Sequence, residues 1–471
     1  MPPLRRRLSC TSTAAARSGS MEGMTPTALV VTRFAPSPTG HLHAGGYRTA
    51  FFSYLFAKKH CGKFVLRIED TDKERSKEEY TQEILNVFEK IGITPDERYI
   101  QSQHVARHRE ALEQLIASGH AYVSREEAKD SSGIIKEIVR FKNPNKVVTF
   151  TDLIRGAIST DTTDLGDFVI AKNLEEPLFH LAVVVDDHDE GITHVIRAEE
   201  HIANTPRQIL IHEALGFALP QYAHLPLVLA PDKSKMSKRK GAVPLVEYLE
   251  RGYLPAALLN AICLCGWNPG TEQELFSREE LEQVFDLDKV QKAGAVFNEE
   301  KLNWFNRQYI TQLSQQEFWG YAHHGLFGSI VHDTEQDREM LKKLEPLIRE
   351  RMVIFSDMHL FFGRADGSTV GEFDYFFTAP AIQEGMLAGK GDTLENARLH
   401  LAKVREMLDG LTDWSMDGIK STLMPYAEEA GKGNVLWPLR VALSGREKSP
   451  DPFTIAEILG KEETLKRLSS V

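Results

Sequence analysis

The chain has 471 residues, a formal net charge of −11 and a hydrophobic content of 42%. That length predicts about three or four domain-sized units, and no apolar run reaches the roughly 18 residues of a membrane-spanning helix, so we expect no membrane span. Because phosphate contacts supply most nucleic-acid affinity, so acidic a chain could bind nucleic acid only through local basic patches.

The N-terminal segment, 1–23, differs in composition from the rest of the chain. It contains four arginines, several serines and a single acid, Glu22. That composition is typical of an organellar transit peptide. The competing explanation is a start site assigned too early, with translation beginning at Met21 or Met24. We favour this second explanation, place the protein in the cytoplasm and expect the segment to be disordered.

The next segment predicts a strand, a loop, a helix and a parallel strand. An apolar run, Leu29–Val31, leads into a proline-rich loop that ends at Gly45 and Gly46, and a β-like run, Phe64–Ile68, is followed by the acidic sequence EDTD. Polar groups therefore collect at the carboxyl ends of both strands, where open α/β sheets bind ligands. The glycines allow backbone to approach a phosphate, and a helix N-terminus favours its charge. The loop matches neither the G-x-G-x-x-G nor the Walker pattern.

Two further stretches predict secondary structure. Ser76 and Glu79 form a capping-box pattern ahead of a helix whose apolar stripe comprises Tyr80, Ile84, Phe88 and Ile91. The sequence VVTFTDLIRGAISTDTTDLGDFVIAK (147–172) alternates and turns in the manner of strands.

A basic loop follows a predicted strand later in the chain. KMSKR (235–239) comes directly after PLVLAPDKS (226–234), and residues 232–240 hold five basic groups against one acid. Such a loop taken alone is usually a solvated surface. Beyond it, LKKLEPLIRERMVIF (341–355) and LENARLHLAKVREML (394–408) show helix-period apolar spacing, so the last third is expected to be mostly helical.

Three motifs together carry a family resemblance. PSPTGHLHAGG (36–46), RIEDTD (67–72) and KMSKR, in this order and separation, resemble the signatures of class I aminoacyl-tRNA synthetases in their glutamyl form. GNVLWPLRVALSGREKSPDPFTIAEILG (433–460) resembles the anticodon-binding half of bacterial-type glutamyl-tRNA synthetases. The resemblance implies a glutamate–tRNA ligase, which forms glutamyl-adenylate from L-glutamate and ATP and then transfers the glutamyl group to the 3′ end of tRNA(Glu).

The same resemblance implies an architecture. We expect an α/β fold, with a Rossmann-like parallel sheet interrupted by an inserted α+β domain for the tRNA acceptor end and followed by an all-α anticodon-binding region. The expected boundaries are 1–23 for the extension, 24–108 and 180–231 for the two halves of the catalytic fold, 109–179 for the insertion, 232–313 for a stem-contact region with the KMSKR loop, and 314–471 for the anticodon-binding region.

The resemblance also assigns an ATP site. Negative charge grows on the phosphates as pyrophosphate leaves, and a histidine and mobile ammonium groups stabilise that transition state more than the ground state. His43 and Lys238 match the main catalytic positions, and Lys235 supports them. The positions that match ATP contacts are Gly45, Gly46, Glu200, Val228 and Lys238. Mg²⁺ is expected to accompany the nucleotide.

The glutamate pocket is implied in the same way. Arg33 and Arg197 match positions that hold substrate glutamate, whose side-chain carboxylate is best bound by guanidinium groups, and Glu69 matches the residue that meets its ammonium. Family members often carry a tyrosine where this chain has Phe179, and the missing hydroxyl removes a hydrogen bond worth about 1 kcal/mol. The remaining predicted glutamate-binding positions are Ala35, Ser37 and Phe179 itself.

No bound metal besides that of the nucleotide is expected. Many relatives carry a zinc-type cysteine cluster in the inserted domain, whereas the four cysteines here lack that spacing, so we predict no structural zinc. Cys263 and Cys265 are expected to be buried packing residues. The resemblance suggests a monomer.

The same residues bear on several alternative functions. A truncated relative that glutamylates a modified tRNA base would end soon after KMSKR, and this chain does not. A glutaminyl-tRNA synthetase shares the architecture, but the arginine in VIRAEEH (195–201) fits an acidic substrate. A catalytically inactive paralogue acting as an RNA-binding or assembly module would usually lose the signature histidine or lysine, and both are present. A non-discriminating enzyme that also charges tRNA(Gln) remains open.

Overall fold

The computed structural model describes residues 29–127, 135–236, 243–322, 331–332, 334–364, 366–389 and 391–471. The chain forms two compact units, the first ending at Phe305 and the second running from Asn306 to Val471. The predicted N-terminal extension, 1–23, and Lys238 lie outside the described residues. None of the described helices combines the length and apolarity needed to cross a bilayer.

The strands all lie in the first unit, among the described residues. They are β1 (Val31–Phe34), β2 (Lys63–Ile68), β3 (Glu97–Ile100), β4 (Ala121–Glu127), β5 (Ile135–Phe141), β6 (Val147–Asp152), β7 (Gly156–Asp161), β8 (Phe168–Asn173), β9 (Glu176–Pro177), β10 (His194–Ala198), β11 (Gln221–Leu225), β12 (Val228–Leu229) and β13 (Ala295–Val296).

Helices occur in both units. Those of the first are α1 (Ala44–Lys59), α2 (Glu78–Ile91), α3 (Val105–Ala117), α4 (Phe179–Asp189), α5 (Thr205–Leu215), α6 (Leu245–Glu250), α7 (Pro255–Leu264) and α8 (Arg278–Val284). Helix α9 (Glu299–Gln312) includes the division between the units. Those of the second are α10 (Gln315–Tyr321), α11 (Glu335–Arg351), α12 (Met358–Phe362), α13 (Glu384–Leu387), α14 (Leu394–Asp409), α15 (Met416–Ala430), α16 (Lys432–Ser444), α17 (Pro452–Leu459) and α18 (Lys461–Ser469).

The main sheet has a reversal of strand order at its centre. Seven strands lie in the order β3-β2-β1-β10-β11-β6-β7, and every neighbouring pair is parallel except β6 with β7. From β1 the chain winds through β2 to β3 on one side, whereas β10 and β11 extend the sheet on the other. The carboxyl ends of β1 and β10 therefore flank a topological switch point, the usual place for a ligand crevice in such a sheet.

The centre of this sheet is buried. All four residues of β1 are buried, as expected for a parallel strand covered on both faces. Helix α1 packs on β1, β2 and β10, and is covered by α7 and α8. Apolar residues of α3, α4 and α5 form a shared core cluster with Val31 of β1, Val65 of β2 and Val195 of β10. The predicted parallel sheet with helices is confirmed.

The segment predicted as an insertion contributes to two sheets. Strands β4, β5, β8 and β9 form a separate antiparallel sheet, in that order. The hairpin of β6 and β7 instead joins the main sheet beside β11, through the pairing of Asp152 with Tyr222. The strands predicted in 147–172 are present as β6, β7 and β8.

The start of α2 differs from its prediction. The helix begins at Glu78 with Lys77 as its N-cap, and no side chain caps it, so the predicted capping box of Ser76 and Glu79 is wrong. The backbone N–H of Lys77 instead donates to the carbonyl of Pro38 at 3.0 Å, which ties the start of the helix to the preceding loop. The apolar stripe is confirmed at Ile84, Phe88 and Ile91, which are buried, whereas Tyr80 is only partly buried.

The second unit consists of helices in the part of the chain that the structure describes. The first predicted helical pattern, 341–355, is helical in α11 only as far as Arg351, and the second falls in α14. The inward face of α14 comprises Ala397, Leu401, Val404 and Leu408. The predicted helical region is confirmed. The division between the compact units lies at Phe305, inside the segment 232–313 predicted to contact the tRNA stem.

Candidate active site

A cavity of about 150 Å³ opens at the switch point between β1 and β10. Five of the six predicted glutamate-binding residues line it, namely Arg33, Ala35, Glu69, Phe179 and Arg197. Ser37 does not line it: it is exposed, and its carbonyl accepts a hydrogen bond from Thr39 in the loop. The cavity therefore brings together two guanidinium groups and one carboxylate from three adjacent strand ends.

Arg33 is held by a buried carboxylate on α4. Its Nε donates to Oδ1 of Asp187 at 3.1 Å, and Nη2 of Arg67 donates to the same oxygen at 2.8 Å. Burial alone would raise the pKa of Asp187, but the two guanidinium groups outweigh it and hold that pKa below its ordinary value. Asp187 therefore stays ionised and fixes both arginines.

Arg67 lies, fully buried, among four carboxylates. Its nearest oxygens belong to Glu190 at 2.7 Å, Asp187 at 2.8 Å, Glu69 at 3.4 Å and Asp186 at 3.8 Å. Burial raises the pKa of Glu69 to about 6 and that of Glu190 to about 8, although Arg67 opposes both shifts. At neutral pH the cluster therefore keeps a proton on Glu190 while Glu69 is ionised.

Arg197 contrasts with both of those arginines, because its partners are neutral. Its Nη2 donates to Oγ1 of Thr205 at 2.7 Å, its Nε donates to Nε2 of His224 at 3.1 Å, and the guanidinium lies 5.4 Å from the centre of the Tyr222 ring. Among the described residues, no carboxylate oxygen lies within 4.0 Å of this guanidinium. Burial lowers the pKa of Arg197 to about 10, so the group remains a cation at neutral pH.

The other wall of the cavity is apolar. Phe179 and Val183, one turn apart on α4, both face it. The Phe179 ring packs 5.7 Å from the ring of His201, and burial, with Arg197 nearby, lowers the pKa of His201 to about 4. His201 is therefore neutral at pH 7. The polar contacts of a ligand must come chiefly from the two arginines and Glu69.

The first signature loop builds a second, adjoining surface. His43 is the N-cap of α1, and its Nδ1 accepts a hydrogen bond from the N–H of Gly45 at 3.1 Å. A Cβ at Gly45 would lie 2.9 Å from Cε1 of His43 and 3.5 Å from Cβ of Val228. A side chain at position 45 would therefore displace the His43 ring, and His43, Gly45 and Val228 meet there. A Cβ at Gly46 would face Leu42 instead, 3.2 Å from its Cδ2.

The start of the KMSKR loop returns to β12. The N–H of Met236 donates to the carbonyl of Val228 at 3.1 Å, and Lys235 forms an isolated backbone bridge with Leu229. The ammonium of Lys235 pairs with the carboxylate of Glu200, and both side chains are about half exposed. That hydrogen bond lowers the pKa of Glu200. The predicted ATP contacts Val228 and Glu200 and the predicted catalytic residue Lys235 are thus linked, while Lys238 lies outside the described residues.

Across the described part of the chain, no group of three or more His, Cys, Asp or Glu side chains is placed to hold a metal ion. Cys263 and Cys265 are buried, as predicted.

Sequence reasoning missed several residues of the site. Thr49, Val183 and His201 line the cavity, and Arg67, Asp187 and His224 hold its charged groups. One available signal was helical spacing, because Val183 lies four residues after Phe179 on the same helix face. No local pattern links Asp187 to Arg33, since 154 residues separate them.

Comparison with known proteins identifies similar chains. The family profile described as "tRNA synthetases class I (E and Q), catalytic domain" matches residues 29–132 and 124–304, and the profile described as "Anticodon binding domain" matches 308–471. The glutamate–tRNA ligase of Aquifex aeolicus is 40% identical, with 94% of this chain and 98% of that protein covered. The glutamate–tRNA ligase of Nitrosospira multiformis is 39% identical, with 93% and 98% covered.

Two solved structures of glutamate–tRNA ligases also align with this chain. A crystal structure of a glutamate tRNA ligase from Elizabethkingia meningosepticum, described as in complex with its amino acid, aligns with a TM-score of 0.81 and 32% identity over 94% of this chain and 98% of that one. A glutamate–tRNA synthetase from Elizabethkingia anophelis aligns with a TM-score of 0.79, 32% identity and 94% and 99% coverage.

Replacing Asp187 tests the anchor of the two arginines. Asp187→Asn leaves two buried guanidinium groups short of one negative charge, so we expect the free energy of unfolding to fall by about 3–5 kcal/mol. Urea denaturation measures it. Asp189→Asn is the matched control: it is on the same helix, and its pair with Arg107 is about one-third exposed, so its loss should cost about 1 kcal/mol or less. Equal losses in the two variants would contradict the assigned anchor.

Replacing Glu190 tests the protonated state of the cluster. Because the pKa of Glu190 is raised to about 8, the folded chain keeps a proton that the unfolded chain has already released. Stability should therefore fall as the pH rises from 6.5 to 8.5, and Glu190→Gln should remove about 1–2 kcal/mol of that fall. Urea denaturation at both pH values measures the difference. The exposed substitution Glu213→Gln should leave the fall as in the wild type, and a fall undiminished in Glu190→Gln would refute the assignment.

Proposed function

The chain belongs to the glutamate–tRNA ligase family of class I aminoacyl-tRNA synthetases, and on that premise we propose that its switch-point cavity binds the L-glutamate that it activates. The reaction is the ATP-dependent formation of glutamyl-adenylate followed by transfer of the glutamyl group to tRNA(Glu). The proposal assigns the amino acid to the cavity at β1 and β10, and ATP to the adjoining surface at α1 and β12.

The observation that carries this assignment is the buried cation of Arg197. Its described partners are neutral, so an incoming carboxylate would supply its first close counter-charge. Arg33 lies beside it, and Glu69 is ionised at neutral pH. L-Glutamate offers a side-chain carboxylate to the arginines and an ammonium to Glu69. Glutamine has the same shape but no side-chain charge, so it would leave the cation without a counter-ion.

The chemistry needs charge stabilisation more than proton transfer. The α-carboxylate of glutamate attacks the α-phosphate of ATP, an oxygen–phosphorus bond forms, and pyrophosphate leaves with the electron pair of the broken bond. We assign His43, Lys235 and Lys238 to the phosphates, where the two ammonium groups and a hydrogen bond from the His43 ring stabilise the developing charge. Mg²⁺ would enter with ATP and be held largely by phosphate oxygens and water.

The ion pair of Lys235 with Glu200 holds the start of the KMSKR loop when no nucleotide is bound. Both groups are about half exposed, so their ion pair is worth little in water. A triphosphate carries more charge than one carboxylate, and its arrival would draw the ammonium of Lys235 away from Glu200. Glu200 would then be released to accept a hydrogen bond from the nucleotide.

The second step moves the glutamyl group to RNA. A terminal ribose hydroxyl of the tRNA attacks the carbonyl of the adenylate, an ester forms, and AMP leaves. The hydroxyl proton goes to solvent or to AMP, because no side chain stands out as a general base. We propose tRNA(Glu) as the acceptor, a monomeric enzyme and a cytoplasmic location; charging of tRNA(Gln) as well is the alternative.

Aminoacylation with purified protein tests the proposal. The assay supplies ATP, labelled glutamate or glutamine, and separate tRNA(Glu) and tRNA(Gln) transcripts, with Lys238→Ala as the inactive control. Glutamate on tRNA(Glu) alone is the expected result, and glutamate on both transcripts would establish the non-discriminating alternative. Transfer of glutamine, or no transfer by folded protein, would overturn the proposal.

Removing the charge of Arg197 should affect glutamate specifically. Arg197→Met keeps the length of the side chain but deprives the substrate carboxylate of its charged hydrogen bonds, so kcat/KM for glutamate should fall about 100-fold or more. Steady-state aminoacylation measures it. Arg207→Met is the control, because Arg207 lies on α5 outside the cavity, against Phe168. A loss of similar size in both variants would contradict the assigned role.

The raised pKa of Glu69 predicts that glutamate binding weakens at acid pH. Only the ionised carboxylate can bind an ammonium, and burial raises the pKa of Glu69 to about 6. KM for glutamate should therefore rise about tenfold per pH unit below that value and level off above it. The measurement is KM for glutamate from pH 5 to 8. In Glu69→Gln, KM for glutamate should be high and should no longer rise as the pH falls below about 6. If KM in this variant still rises at acid pH as in the wild type, another group is responsible for the titration.

A further inference from the structure

Three neighbouring strands of the main sheet carry a line of hydrogen-bonded side chains that ends at Arg197. Asp152 is the last residue of β6, His224 lies on β11, and Arg197 lies on β10, directly paired in register with His224. Oδ2 of Asp152 lies 2.7 Å from Nδ1 of His224, and Nε of Arg197 lies 3.1 Å from Nε2 of the same ring. Asp152 and His224 are almost fully buried.

The hydrogen bonds fix which nitrogen of His224 carries the proton. The Nε of an arginine can only donate, so Nε2 of His224 must accept with its lone pair. The ring proton then lies on Nδ1 and is donated to Asp152. Burial lowers the pKa of His224, consistent with a neutral ring. The geometry thus gives Arg197 a neutral acceptor.

Asp152 is positioned to impose this tautomer. Its Oδ2 also accepts the backbone N–H of His224 at 3.0 Å, and its Oδ1 accepts the backbone N–H groups of Ile154 and Arg155. Burial alone would raise the pKa of Asp152, but these hydrogen bonds outweigh it and hold that pKa below its ordinary value. An ionised carboxylate has no proton to donate, so Asp152 can only accept from Nδ1 of His224.

We propose that His224 is a positioning residue for glutamate selection, which holds Arg197 through a neutral acceptor and so keeps the orientation and the full charge of that guanidinium for the substrate. This inference rests on the proposed role of Arg197 in binding the side-chain carboxylate. Arg33 shows the alternative arrangement, because Asp187 holds it and also compensates its charge. With two acid-paired arginines the cavity would attract an anion less strongly, and it would distinguish glutamate from glutamine less well.

Thr205 completes the same arrangement. Its Oγ1 accepts from Nη2 of Arg197 at 2.7 Å and lies 3.2 Å from Nε2 of His224 and 3.0 Å from the carbonyl of His201. Both described side-chain acceptors of Arg197 are therefore uncharged, which orients the guanidinium without neutralising it.

A matched pair of amides at position 224 tests the proposal. In His224→Gln the amide oxygen can reach the place of Nε2 and accept from Arg197, whereas in His224→Asn the shorter amide reaches only the place of Nδ1, near Asp152. His224→Asn should raise KM for glutamate about 10- to 100-fold, with KM for ATP unchanged, and should reduce the preference for glutamate over glutamine. His224→Gln should restore most of the affinity.

The readout separates positioning from a merely structural role. Aminoacylation gives both KM values, inhibition by glutamine gives the preference, and thermal denaturation shows whether each variant is folded. If His224→Asn does not fold, the same comparison is made with Thr205→Val, which removes an acceptor of Arg197, against Thr205→Ser, which keeps it. A raised KM in Thr205→Val alone supports orientation of Arg197 by neutral acceptors, and a KM for glutamate near that of the wild type in His224→Gln then supports the same role for the acceptor at position 224.

Two results would overturn the inference while leaving the proposed function intact. One is a wild-type enzyme that glutamylates tRNA, with KM for glutamate unaltered in folded His224→Asn and Thr205→Val. The other is an equal rise of KM for glutamate and KM for ATP in both His224→Asn and His224→Gln, which would indicate that the substitutions disrupt the whole active site. A wild-type enzyme that does not use glutamate would instead refute the proposed function itself.

Discussion

The guanidinium groups of Arg33 and Arg197 lie buried at the carboxyl ends of neighbouring strands, and the need to stabilise these two buried cations organises the pocket. A buried cation is costly unless it is paired or well hydrogen-bonded. The chain meets that cost in two ways: Arg33 has the carboxylate of Asp187, and Arg197 has the neutral side chains of Thr205 and His224 with the Tyr222 ring. The first arrangement stabilises the fold. The second leaves a positive charge for a ligand.

The fold makes this arrangement possible because the strand order reverses between β1 and β10. That reversal places Arg33 and Arg197 side by side, while α4 brings Asp187 beneath one and Phe179 across the cavity. The apolar wall offers few polar groups, so the charged groups of the cavity come from the strand ends. On the proposed function, the absence of a tyrosine hydroxyl at Phe179 should therefore matter less than the guanidinium of Arg197, which has no directly paired carboxylate among the described residues.

The sequence predicts the charged groups that line the cavity better than the groups that support them. Arg33, Glu69 and Arg197 follow from a family signature and from the rule that ligands meet the carboxyl ends of parallel strands. Asp187 and His224 could not be predicted, because their contacts join residues far apart in sequence. The same reason explains the failed capping box at Ser76, where a contact with Pro38 decides the start of the helix, and the pairing of β6 with β11.

A crystal structure of this chain with a non-hydrolysable analogue of glutamyl-adenylate would test the role of Arg197 most directly. We expect the side-chain carboxylate of the analogue within hydrogen-bond distance of Arg197 and Arg33, its ammonium at Glu69, and the Arg197–His224 hydrogen bond retained. A carboxylate bound elsewhere, with Arg197 still surrounded only by its neutral partners, would contradict the claim that this buried cation selects glutamate.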